Sequence, residues 1–172
     1  AAEQRNARKV SELRKRSTHG SASVTLFEPD NLVRLNSRYL PDDLLDLIPA
    51  KGVTLIRSPK GTGKTELISK ITAQCEQRGQ SSMLLGHRVV LLKNLAERTG
   101  LDYYRDLEDG GISAQFAVCL NSLTRLRPGT DNPYHTVIID ESEQVLQALT
   151  SPTLNKIGGD LSKIFYNLQW LF

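Results

Sequence analysis

The sequence predicts an α/β fold built on a mostly parallel sheet with helices on both faces. Three observations lead there. Short apolar, β-branched runs alternate with segments of helical periodicity from residue 51 onward. A glycine-rich turn ending in Lys64-Thr65 follows the first of those runs. A later run, Val137-Ile138-Ile139, stops abruptly at two carboxylates, Asp140-Glu141. Strands buried on both faces read as continuous apolar runs, and parallel neighbours need helical crossovers between them.

The elements follow in order. Pro41 with Asp42-Asp43 behind it suits a helix start, and Pro49 ends that helix. Val53-Thr54-Leu55-Ile56 reads as the first strand. Leu67, Ile68, Ile71 and Cys75 then recur on one side of a helix closed by Gly79. Ser81 to Leu85 reads as the second strand, and Leu91, Leu92, Leu95 and Ala96 mark a helix stopped by Gly100. Phe116 to Leu120 is a third strand and Thr136 to Ile139 a fourth. Leu161, Ile164, Phe165, Leu168 and Phe172 form the stripe of a closing amphipathic helix.

Composition excludes other classes. The 172 residues are 39% hydrophobic and 24% charged, an ordinary globular balance. No run approaches the ~20 apolar residues of a membrane span, and no secretory signal opens the chain. Cys75 and Cys119 lie apart with no metal-ligand spacing, so both read as core thiols of a reduced, cytoplasmic protein. The net charge of +3 is uneven. Arg5, Arg8, Lys9, Arg14, Lys15 and Arg16 face only Glu3 and Glu12 in the first 20 residues. We therefore divide the chain into a basic polar leader or linker, 1–23, and one domain, 24–172. The chain starts without Met and stops inside an apolar stripe, which reads as a fragment of a longer protein.

The segment Ser58-Pro59-Lys60-Gly61-Thr62-Gly63-Lys64-Thr65 is a phosphate-loop pattern between a predicted strand and a predicted helix. Glycines let the backbone curl so that its N–H groups converge on phosphate oxygens, and the helix start adds its positive dipole end. Pro59, Lys60, Gly61, Thr62, Gly63, Lys64, Thr65 and Glu66 are the candidate nucleotide-binding residues. Lys64 brings a charge to the terminal phosphates, and the Thr65 hydroxyl suits Mg²⁺. Ser58 stands where the first glycine of the pattern is usual. At the strand end, Asp140 suits the Mg²⁺ shell and Glu141 the orientation of an attacking water. Lys64, Asp140 and Glu141 are thus the candidate catalytic residues, with ATP and Mg²⁺ as cofactors.

With these motifs in place, residues 50–172 resemble the first RecA-like domain of superfamily 2 helicases. Gly61 to Thr65 matches motif I and Asp140-Glu141-Ser142-Glu143 matches motif II. Leu84-Leu85-Gly86-His87-Arg88 resembles motif Ia, and Leu120-Asn121-Ser122-Leu123 resembles the segment ahead of motif II. More narrowly, the phrases are similar to origin-of-replication-binding helicases, of the herpesvirus type and of plasmid replication proteins. The resemblance implies an ATP-driven motor on DNA, single strand or origin duplex, with replication proteins as further partners. It implies that Arg88, Asn121 and Ser122 contact a nucleic-acid backbone. Arg88 as a surface ion-pair partner and Asn121 as a turn or cap residue stay open as alternatives. His87 reads as a packed or hydrogen-bonded histidine. No Ser-Ala-Thr motif follows motif II and no second RecA-like half is present, so slow hydrolysis without unwinding is expected of these residues alone. Two other functions compete: a P-loop enzyme on a small molecule, and a DNA-binding module that nucleotide merely stabilises. Tyr103 and Tyr104, beside several acids, read as an exposed helix or loop.

Overall fold

The computed structural model describes residues 29–108, 111–127, 129, 132–149 and 160–172. The chain divides into two units, 1–36 and 37–172. The basic leader and the extended piece expected at Val24 to Phe27 lie outside the described residues. Residues 29–36 are irregular and exposed. The rest of this section concerns the second unit.

Four strands form one all-parallel sheet: β1 (Ser82–Gly86), β2 (Asp102–Tyr103), β3 (Gln115–Cys119) and β4 (Thr136–Ile139), in the order β2-β3-β1-β4. The α/β class is therefore as the alternation of apolar runs and helical segments predicts. β1 is the pivot. Its Ser82 to Gly86 pair with Gln115 to Cys119 on one side, and Ser82 to Leu85 pair with Thr136 to Ile139 on the other. Met83, Leu84 and Leu85 are fully buried, so both faces of the strand are covered.

Among the described residues the unit has four α-helices: α1 (Lys64–Gln77), α2 (Val89–Thr99), α3 (Ser142–Leu149) and α4 (Leu161–Trp170). α1 buries Leu67, Ile68, Thr72 and Cys75 and ends where Gly79 takes a φ of 65°, with the Gln80 N–H donating to the Cys75 carbonyl at 2.8 Å. α2 ends the same way at Gly100, φ 71°, with the Leu101 N–H on the Ala96 carbonyl at 3.0 Å. The Thr72 hydroxyl donates to the Thr99 carbonyl at 2.8 Å and ties α1 to the end of α2. A 3-10 helix, Leu120–Arg125, leaves β3, and α4 packs on it through Asn167. The buried Asn167 amide donates to the Leu123 carbonyl at 2.6 Å and the Leu126 carbonyl at 3.1 Å.

Three expectations need correction. Val53 to Ile56 is not a strand: Val53 and Leu55 are 84% and 80% exposed, and no ladder partner lies beside them among the described residues. A strand persists only through its pairing and packing, so β-branched composition alone does not make one here. The helix expected behind Pro41 is a six-residue 3-10 helix, Asp42–Leu47, with an Asp42–Lys70 ion pair joining it to α1. Tyr103 and Tyr104 are buried, at 5% and 2% exposure, and Tyr103 belongs to β2.

Asn167→Ala should leave the Leu126 carbonyl without the Asn167 amide, while the Leu123 carbonyl keeps the Leu126 N–H, at a cost of roughly 1–3 kcal/mol. Urea denaturation should read that loss. A change below about 0.5 kcal/mol, the low end for any net hydrogen bond, would show that Asn167 does not anchor α4.

Candidate functional site

Parallel pairing dictates where the strands deliver their chemistry. In a parallel sheet every strand points the same way, so all carboxyl ends share one edge. At that edge Gly86 is opposite Cys119, and the Asp140 N–H donates to the Leu85 carbonyl at 3.1 Å. His87-Arg88 from β1, Leu120 to Ser122 from β3 and Asp140-Glu141 from β4 therefore leave side by side, with strands about 5 Å apart.

α1 brings the glycine-rich loop to the same edge. Its Cys75 thiol lies 3.4 Å from the Thr136 hydroxyl, at the opposite end of β4. From Cys75 back to Lys64 the helix rises roughly 16 Å, and from Thr136 to Asp140 the strand advances about 13 Å. A helix running antiparallel to β4 thus carries its first residue to the level of Asp140. Electrostatics agrees with this layout, because the Lys64 ammonium acts on the Asp140 carboxyl.

The loop itself is held by its own polar atoms. Gly61 and Gly63 adopt φ values of 76° and 95°, the left-handed region that a side chain strains, and open space lies where a Cβ would stand. The buried Thr62 hydroxyl sits 2.9 Å from the Ser58 hydroxyl and 3.0 Å from the Pro59 carbonyl. Ser58 thus supplies a tie at a position where glycine would have none. The Leu40 N–H reaches the Thr62 carbonyl at 2.9 Å and steadies the loop from outside. Lys64 folds back onto the loop, donating to the Pro59 carbonyl at 2.7 Å and the Ser58 carbonyl at 3.0 Å. Gly63 caps α1 without a side-chain acceptor. The first-turn N–H groups of such a helix lack intrahelical partners and favour an anion.

The acid pair has the opposite character. Burial pushes the Asp140 carboxyl above the usual carboxylate range, and the neighbouring Glu141 charge adds to it. A backbone hydrogen bond at Glu141 and the Lys64 charge pull the other way. Asp140 is half-buried and Glu141 exposed. Glu141 has a φ of 51°, the left-handed region, the one non-glycine residue with positive φ among those described. Its carbonyl accepts from the Gln144 and Val145 N–H groups at 2.8 and 3.1 Å, so the turn feeds directly into α3.

A Mg²⁺-nucleotide fits the chemistry of these donors. A cation-bearing, N–H-rich loop with open space at its glycines faces two carboxylates whose crowding a divalent ion would relieve. Lys60 and Glu66 are exposed beside the loop, and Thr65 is half-buried in the first turn of α1. Arg88 and Asn121 are exposed on the same edge and Ser122 is half-buried. Two features escape sequence reading. Tyr104 lies between the guanidinium groups of Arg125 and Arg105, 5.1 and 5.6 Å from its ring centre. His87 stands between Arg88 and Glu141, with Nε2 3.1 Å from the Arg88 Nε and Nδ1 3.9 Å from a Glu141 carboxylate oxygen.

The left-handed backbone at Glu141 makes one prediction. Asparagine tolerates that conformation, so Glu141→Asn should relieve roughly 1 kcal/mol of strain and raise the denaturation midpoint. An unchanged or lower midpoint would show that the turn is unstrained.

Comparison with known proteins adds three findings. A family model described as origin of replication binding protein matches residues 44–169. An uncharacterized protein of Picosynechococcus sp. is 30% identical over an alignment 163 positions long, and the match covers 84% of this chain and 16% of that protein. No solved structure matches.

Proposed function

The chain belongs to the origin of replication binding protein family, and from that premise we propose that residues 24–172 are the ATP-binding motor domain of a DNA helicase acting in replication initiation. The carrying observation is the shared edge. The Lys64 charge reaches the Asp140 carboxyl, and Glu141 adjoins it on a strained turn. Membership in the family supports DNA as the partner and replication initiation as the setting.

Each residue then has a task. Lys64 exchanges the Ser58 and Pro59 carbonyls for the terminal phosphates, while the loop N–H groups and the first turn of α1 hold the remaining oxygens. The Thr65 hydroxyl and the Asp140 carboxylate hold Mg²⁺. Glu141 orients the attacking water and accepts its proton. Bound Mg²⁺-ATP supplies the labile phosphoryl bond whose hydrolysis drives movement on DNA. Arg88, Asn121 and Ser122 contact phosphates of the nucleic acid from the tips of β1 and β3. The chain spans 16% of the length of the relative it matches, so turnover and unwinding are proposed for the full-length protein. An arginine supplied from elsewhere to the transferring phosphoryl group is commonly worth ~10³–10⁵ in rate, and slow hydrolysis is proposed for these residues alone.

In the full-length protein, Lys64→Ala should abolish tight binding of a fluorescent ATP analogue. Glu141→Gln should bind the analogue normally but lose turnover by roughly 10²-fold or more, the usual loss with a general base. Equal turnover in Glu141→Gln and wild type would remove Glu141 from its role. Binding without any turnover in the wild type would favour a module that nucleotide only stabilises.

A further inference from the structure

We propose that His87 is a positioning residue that restrains Glu141 until Arg88 engages a nucleic-acid phosphate. The inference rests on the ATPase reading above and adds to it the device by which DNA contact controls hydrolysis.

The argument starts from the place of His87 in the sheet. β1 is flanked by β3 and β4. Its tip therefore separates the candidate DNA contacts on β3, Asn121 and Ser122, from the acid pair on β4. Arg88, the other candidate contact, is the neighbour of His87 in the chain and is exposed. The His87 ring lies against both Arg88 and Glu141, and so stands between one candidate DNA contact and the acid pair.

The direction of the hydrogen bond fixes the tautomer. The Arg88 Nε–H donates to His87 Nε2 at 3.1 Å. A guanidinium nitrogen cannot accept, so Nε2 must carry the free lone pair. The hydrogen of the neutral ring then sits on Nδ1, the nitrogen that faces the Glu141 carboxylate at 3.9 Å. That separation is beyond a direct hydrogen bond, so the N–H acts on the carboxylate as a dipole facing a charge. Arg88 thus orients the ring, and the ring offers its one N–H to Glu141.

Phosphate binding competes with this arrangement. Arginine grips a phosphate by a fork of parallel N–H groups with both partners ionised, against a single N–H on an uncharged ring nitrogen here. Once Arg88 turns to a phosphate, Nε2 loses its donor and the ring its fixed orientation. Glu141 is then free to orient water. Its left-handed backbone, φ 51°, favours such a change, because a strained residue has a conformation to relax toward.

The test measures steady-state ATP hydrolysis by the full-length protein with and without single-stranded oligonucleotide. Wild type, His87→Ala, His87→Gln, Arg88→Lys and Lys64→Ala are compared, with ATP-analogue and DNA affinities measured on each. Wild-type stimulation should be roughly five-fold or more, the lower range of allosteric coupling. In His87→Ala, basal turnover should rise toward the stimulated rate and stimulation should collapse to about one-fold, with KM and both affinities unchanged. His87→Gln, whose amide can accept from Arg88 and donate to Glu141, should restore part of the stimulation. Arg88→Lys keeps a charge for phosphate but loses the oriented Nε–H, so its basal rate should rise as well. Undiminished stimulation in His87→Ala, or a fall in its basal rate, would overturn the inference while leaving the ATPase reading intact. No stimulation in wild type, or full turnover in Lys64→Ala, would overturn the ATPase reading and this one with it.

Discussion

The parallel pairing of β1 with both β3 and β4 is the constraint on which the rest depends. One register, Leu85 beside Val118 and Ile139, puts three strand tips at a common edge and assigns each a different chemistry. The acids leave from β4, the histidine and an arginine from β1, the amide and hydroxyl from β3. A slip by one residue in any strand would turn its apolar set to the other face and carry its tip away from its neighbours. The fully buried Met83, Leu84, Leu85, Phe116, Ala117 and Val118 resist such a slip because both faces of these strands are packed.

Helix α1 converts that edge into a site. Its length and its antiparallel course along β4 carry the loop to the acids, and its burial of Leu67, Ile68 and Cys75 keeps it there. The Lys64 charge then acts on the Asp140 carboxyl. Lys64 spends its hydrogen bonds on its own loop, and Asp140 is left with a raised proton affinity. Unrelieved charge of this kind is typical of a site organised for a ligand rather than for stability.

Most of the sheet and the left-handed glycines of the loop at Gly61 and Gly63 were legible in the sequence, because their signals are local. β1, β3 and β4 are continuous apolar runs, and the stops at Gly79 and Gly100 follow from left-handed caps that glycine alone takes readily. The failures are non-local. Val53 to Ile56 has strand composition, but a strand is decided by its neighbours, and none lies beside it among the described residues. Tyr103 and Tyr104 sit amid acids that suggest solvent, yet β3 and the guanidinium groups of Arg105 and Arg125 enclose them. Two-residue β2 is too short for any periodicity to show. His87 reads as an ordinary packed histidine, since its two partners come from the next residue and from another strand 54 positions on.

The central claim is that Lys64 and Asp140 serve one nucleotide from opposite sides, through phosphate and through Mg²⁺. Calorimetric titration of a non-hydrolysable ATP analogue, with and without Mg²⁺, tests it on wild type and Asp140→Asn. Mg²⁺ should tighten binding to the wild type, and Asp140→Asn should erase that increment while keeping the Mg²⁺-free affinity. An increment of the same size in both proteins would place the metal elsewhere and contradict the account.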